Sequence, residues 1–154
     1  MTNTSVYEAM HFEIIVGSML GASEYVAEAL AECLKARNIA GRLHLQPDFH
    51  KLDPTAIWLL CSSTHGAGDL PDNIQPFAAA LQGTQLHDTR YLVVGLGDSS
   101  YDTFCFAAKH LDTLLADAGA HRLTSPLFID VLTHPIPEEV AVEWFDDWLS
   151  NHRP

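Results

Sequence analysis

Apolar residues along this chain fall into short unbroken runs, separated by stretches in which they recur every third or fourth position. Phe12–Gly17, Ala56–Ser62 and Arg90–Gly97 are almost continuously apolar, as expected of strands covered on both faces. Shorter runs at Arg42–Leu45 and Pro126–Val131 make five predicted strands. The intervening pattern is helical. Ser23–Arg37 places Val26, Leu30, Cys33 and Leu34 on one stripe, with Glu24, Glu28, Glu32 and Lys35 off it. Asn73–Gln82 is a second helix, with Pro76 tolerable only in its first turn. Tyr101–Ala118 carries Phe104, Ala107, Leu111, Leu114 and Leu115 at helical spacing and ends before Gly119, where a terminating glycine belongs. Glu138–Ser150 is the last.

Strands alternating with helices predict parallel βαβ units, hence a doubly wound α/β sheet. The whole chain, 1–154, reads as one domain, with residues 1–11 a loosely ordered N-terminal extension. Ligands of such sheets bind beyond the carboxyl ends of the strands, where the strand order reverses. The loops that follow the strands are therefore the place to look for chemistry.

Composition narrows the choice. The formal net charge is −12, from 20 acids against 8 bases, which leaves no basic footprint for nucleic acid. It suits solubility, and it also suits steering towards a basic protein surface. No apolar run approaches the length of a membrane span, and the start, MTNTSVYEAMH, has neither a basic nor an apolar targeting segment. Cys33, Cys61 and Cys105 lie in separate apolar patterns without a CxxC pair, as expected of reduced thiols in the cytoplasm. The 9 histidines are scattered, without a metal-ligand spacing.

Three loops stand out. The first, GSMLGAS from Gly17 to Ser23, is uncharged and runs straight into a helix. Its hydroxyls and helix-terminal amides form a nest for an anion such as phosphate; alternatively, Ser23 simply caps the helix. It lacks the lysine of a Walker loop and the spacing of GxGxxG. The second, SSTHGAGDLPDN from Ser62 to Asn73, holds His65 among glycines and small residues. The third, GLGDSSYDTFC from Gly95 to Cys105, offers Gly95 and Gly97 for close backbone approach, Ser99 or Ser100 to cap the next helix, and Tyr101 as an aromatic wall. Cys105 reads as core, since no base lies near it in sequence to activate a thiolate. Together the loops offer a neutral phosphate cradle and two walls for a flat ring.

These three loops resemble those of flavodoxins and of the FMN domains of diflavin reductases. GSMLGAS is similar to the phosphate loop, STHGAGD to the second loop, and LGDSSYDTFC to the third almost residue for residue. The likeness covers residues 12–150 and is nearest to the MioC-like group of small bacterial flavodoxins; the absence of a long insertion near the last strand fits a short-chain member. It implies a flavodoxin-like three-layer sandwich whose five-stranded parallel sheet has the order 2-1-3-4-5, with helices on both faces. It also implies FMN. Ser18, Met19, Leu20, Gly21, Ala22 and Ser23 would wrap the phosphate. Ser63, Thr64, His65 and Gly66 would hold the ring from one loop. Leu96, Gly97, Asp98, Ser99, Ser100, Tyr101, Asp102, Thr103, Phe104 and Cys105 would hold it from the other, with Tyr101 stacked on one face. Asp130 would reach a ribityl hydroxyl or the ring edge.

Two positions depart from the family. Leu20 replaces a threonine, which removes one hydroxyl donor to the phosphate. His65 stands where relatives have Tyr or Trp; it either stacks as a smaller partner or points to solvent. If it stacks, protonation of its imidazole raises the flavin potential as the pH falls.

The resemblance implies a low-potential one-electron carrier without catalytic residues or metal. The redox chemistry is the flavin's, and the protein supplies position and electrostatics. Glycine's freedom at Gly66 would let a peptide carbonyl turn towards the reduced ring. Asp69, Asp98 and Asp102, with no base nearby in sequence, would disfavour the added negative charge, so the second electron is expected at a markedly lower potential than the first. The implied donor is a flavodoxin/ferredoxin NADP reductase-type flavoprotein, and the acceptor a basic-surfaced metalloenzyme such as biotin synthase. A monomer is expected. Two other readings remain open: an FMN-dependent NAD(P)H or quinone reductase, although no dinucleotide fingerprint is present, and a flavin-free regulatory module on the same fold.

Overall fold

The computed structural model describes residues 10–152. Its elements are β1 (His11–Gly17), α1 (Ala22–Ala36), β2 (Ala40–His44), β3 (Ile57–Ser63), α2 (Gln75–Leu81), β4 (Arg90–Gly97), α3 (Phe106–Asp117), β5 (His121–Arg122), β6 (Leu127–Asp130) and α4 (Pro137–Asn151). His11 already pairs with Ala40, so the sheet reaches into the stretch expected to be a loose extension. Residues 1–9 of that stretch lie outside the described residues.

All pairings are parallel, in the order β2-β1-β3-β4-β5, with β6 also alongside β4. The predicted order is therefore observed, with one correction: the fifth position is filled by two short strands. β5 pairs with the start of β4, at Arg90 and Tyr91, and β6 with its end, Val94 to Gly97. Between them lies Pro126, which has no N–H to give a ladder.

β1, β3 and β4 are central and buried almost throughout. Their alternate side chains feed two cores. On one face Phe12, Ile14, Val16, Leu59 and Val94 meet Val26, Leu30 and Leu34 of α1 and Phe145 and Leu149 of α4. On the other, Ile15, Trp58, Leu60 and Val93 meet Phe77 and Leu81 of α2 and Leu111 and Leu115 of α3.

Two helices start later than their periodicity predicts. Residues Asp72–Ile74 form a 3-10 turn, and α2 proper begins at Gln75 with Pro76 in its first turn. α3 begins at Phe106 rather than Tyr101, because Cys105 is left-handed (φ 55°) and breaks the helical run. Residues 101–105 remain a loop.

One polar group sits inside β1. Glu13 is 1% exposed, and its carboxylate accepts from Arg42 Nε at 2.9 Å, from the Arg42 terminal nitrogen, and from the Asp53 amide at 2.8 Å. His44 Nε2 lies 2.8 Å from the same carboxylate. A buried charge needs such partners. They tie β1 to the edge strand β2 and to the connection entering β3. Burial pushes this carboxyl up, but Arg42, His44 and the Asp53 amide outweigh it and hold it below its ordinary value.

A carboxyl depressed in the folded state stabilises above its unfolded value, and that contribution is lost as the pH falls through the folded value. For Glu13 the loss sets in below pH 4.5. The neighbouring Asp53, which Thr55 and His11 hold down to about 2, prolongs the same trend to lower pH. A Glu13→Gln variant is expected to lose roughly 1–3 kcal/mol at pH 7 in urea unfolding, and its stability should decline less steeply between pH 5 and 2. An unchanged pH profile would remove Glu13 from this role.

Candidate functional site

β1, β3 and β4 end side by side, so the three loops named above emerge together at the carboxyl edge of the sheet. The first loop is shaped by its own hydroxyl and by a neighbour. Ser18 Oγ accepts from the Gly21 amide at 2.9 Å, and Gly21 takes a left-handed φ of 96° to turn into α1. Ser23 is not the helix cap. Its buried hydroxyl donates inward to the Gly17 carbonyl and receives Ser63 Oγ at 3.2 Å. The first-turn amides of α1 therefore have no intrahelical acceptor and no side-chain cap. That leaves an uncharged row of donors with the positive end of a helix dipole behind it.

The second loop is a small hairpin. His65 and Asp69 exchange backbone hydrogen bonds of 2.8 and 2.7 Å across Gly66, Ala67 and Gly68. Gly66, at φ 53°, has open space where a side chain would be, its nearest outside neighbour being the Asp69 carboxylate at 3.8 Å. Gly68 is pressed against Phe106 and Thr103. Thr64 joins this loop to the third: its hydroxyl accepts from the Ala107 amide at 3.1 Å, so α3 is capped from another strand's loop.

The third loop is held from below. Asp130 accepts from the Ser99 amide and hydroxyl and from the Leu132 amide, and the Ser99 hydroxyl leads the interactions that keep its carboxyl below the usual value. Asp130 thus clamps the loop to the end of β6. Neither Ser99 nor Ser100 caps α3: Ser100 turns back onto Asp98. Gly95 and Gly97 also serve packing. A Cβ on Gly95 would lie 2.5 Å from the Ala108 methyl, and one on Gly97 would lie 2.8 Å from the Cys105 amide nitrogen. Burial pushes the Cys105 thiol up to about 12, so it is inert.

The loops enclose two adjoining clefts. One, of about 680 Å³, lies between Gly66 and Ala67 on the second loop and Tyr101 to Cys105 on the third. The other, of about 290 Å³, reaches Met19 and Ala22 in the first loop and is bordered by Ser63, Leu96 and Val131. Leu20, Thr64, His65, Gly97 and Asp98 border both. Of the residues expected from sequence, Ser18, Gly21, Ser23, Ser99, Ser100 and Asp130 line neither. Ala67 and Val131 were not foreseen and do line them; nothing in their side chains marks them beyond their position beside the motifs.

This shape fits FMN. The wide cleft is bordered by the exposed Tyr101 and His65, and the narrow one reaches Met19 and Ala22 at the start of α1. Leu20, 97% exposed, stands between the two. Asp98 and Asp102 line the wide cleft, whereas Lys109, which does not line it, lies over the rings of Phe104, Phe106 and Phe128, at 6.0, 5.4 and 5.4 Å.

Comparison with known proteins agrees. The family model described as Flavodoxin matches residues 14–144. The Protein MioC homolog of Pasteurella multocida (strain Pm70) is 45% identical over 139 residues, which cover 89% of this chain and 95% of the relative. The sulfite reductase [NADPH] flavoprotein alpha-component of Shewanella sp. (strain MR-4) is 35% identical over 146 residues, 92% of this chain but 24% of the relative. Among solved structures, a mutant of flavodoxin from Pseudomonas aeruginosa superposes with a TM-score of 0.84 at 30% identity, over 92% of this chain and 97% of that one.

Gly97→Ala is expected to displace Cys105 and Phe104 and to weaken FMN binding at least tenfold while the fold is kept, as read by flavin fluorescence titration and circular dichroism. Unchanged affinity would show that the third loop absorbs a methyl group freely.

Proposed function

This chain belongs to the flavodoxin family and is an FMN-binding electron carrier, and we propose that it passes single electrons from an NADPH-linked flavoprotein reductase to a metalloenzyme of the cytoplasm. FMN supplies the redox chemistry when bound. The observation that carries the reading is the pair of clefts that meet along Leu20, Thr64, His65, Gly97 and Asp98, one bordered by Tyr101 and Phe104 and the other reaching Met19 and Ala22 at the start of α1.

The chain's own groups divide the work. The amides of the first loop and the first turn of α1 bind a phosphate without a lysine. Tyr101 and His65 flank the ring. Asp69 holds the second hairpin at its base, which confines movement to the Gly66–Ala67 peptide, where no side chain obstructs it. Asp98 and Asp102 on the wide cleft, with Asp69 at the base of the adjoining hairpin, oppose the charge added by a second electron.

Similarity to part of an NADPH sulfite reductase flavoprotein supports a reductase-type donor. The acceptor side rests on charge: the rim around Leu20 and Tyr101 bears Asp69, Asp72, Asp98 and Asp102, and no lysine or arginine occurs between Arg37 and Lys109 except Arg42, Lys51 and Arg90. A basic-surfaced enzyme of the biotin synthase type suits such a rim. Three buried, unpaired cysteines suit a reducing compartment.

Adding FMN to the purified protein tests the central reading: binding at micromolar concentration or below is expected, and failure to bind would overturn it. Electron transfer to a basic-surfaced partner is expected to slow as the salt concentration rises above a few tens of millimolar, through screening. Stopped-flow rates that are independent of salt would argue against electrostatic docking.

A further inference from the structure

We infer that Asn73, which lies in none of the clefts, is the positioning residue that aligns the phosphate loop; this rests on the FMN-binding reading above. Its side chain makes three hydrogen bonds to three separate pieces of backbone. Oδ1 accepts from the Ser18 amide at 2.9 Å. Nδ2 donates to the Val16 carbonyl at 2.6 Å and to the Leu45 carbonyl at 2.9 Å. Only a carboxamide supplies one acceptor and two donors in that arrangement, so aspartate, though the same shape, does not replace it.

The location explains the need. β1 and β2 run side by side as far as Ile15 and His44, and beyond that their chains part, β1 into the phosphate loop and β2 into the connection towards β3. Val16 and Leu45 would otherwise present carbonyls into the opening between them. Asn73, carried in by the 3-10 turn ahead of α2, closes this gap with its two N–H groups. With its oxygen it takes up the first amide of the phosphate loop.

The consequence is directional. The loop carries no basic side chain, so its hold on an anion depends on several amides pointing at one spot. Ser18 is fixed at both ends of its turn: its amide is held by Asn73, and its hydroxyl receives the Gly21 amide. If the Asn73 contact is lost, the entry to the loop is free to rotate, and the amides after it diverge. The hydrogen bonds of Asn73, the last residue of the second loop, run to Val16, Ser18 and Leu45, and none of them reaches the stretch 63–66 or the third loop. Asn73 therefore acts on the phosphate end and not on the ring.

The test compares FMN with riboflavin, which carries the same ring without the phosphate. For Asn73→Leu, FMN affinity measured by fluorescence titration is expected to fall at least tenfold while riboflavin affinity stays within about twofold of the native protein. Thr89→Val, which removes a buried hydroxyl's bond to Pro54 remote from the loops, serves as the stability control and should leave the FMN-to-riboflavin ratio unchanged. If Asn73→Leu does not fold, Asn73→Ser, which keeps a small polar group, is read in the same way. Equal losses for both ligands, or no loss for either, would overturn the inference. If the native protein itself binds no FMN, it is the functional reading that fails.

Discussion

At the carboxyl ends of β1 and β4 there is no room for a methyl group. A Cβ on Gly17 would lie 2.5 Å from Ser62 Oγ, one on Gly95 would meet Ala108 at the same distance, and one on Gly97 would meet the backbone of Cys105. This steric limit draws α3 and the third loop down onto the sheet and lets the ends of β1 and β3 lie close together. The hydrogen bonds that shape the site, Ser23 to Gly17 and Thr64 to Ala107, depend on that closeness. Other side chains then fix what the glycines allow, Asp130 beneath the third loop and Asn73 beneath the first.

The electrostatic design is divided in a similar way. The first loop offers helix amides and a dipole, a field that costs no desolvation of a lysine and carries no net charge. The wide cleft is lined by Asp98 and Asp102, and Lys109 is held over three phenylalanine rings. The cleft thus pairs uncharged donors at one end with carboxylates at the other.

Much of this was legible in the sequence. The continuous runs of β1, β3 and β4 announced central strands, and three loops in the right order pointed to a flavin. The misses have local causes. Tyr101 to Phe104 have helical periodicity, but Cys105 adopts φ 55°, and no pattern of apolar residues signals a single left-handed residue. Ser23, Ser99 and Asp130 have types that suit a ligand; in the structure each is also engaged by the protein itself, through tertiary contacts that sequence alone does not reveal. Glu13 and Asn73 were passed over. A carboxylate inside an apolar run and an asparagine beside a proline-containing turn were the available signals, and each acquires meaning only from residues 28 or more positions away.

The divided fifth strand has a consequence for the life of the protein among its neighbours. An intact edge strand offers a row of unpaired backbone groups onto which another chain can add. Here that edge consists of a two-residue and a four-residue piece, separated by a proline-containing break. Neither is long enough to template a stable new ladder. On this side of the sheet, an acidic carrier with apolar side chains around an open cleft is thereby denied an easy route to edge-to-edge growth.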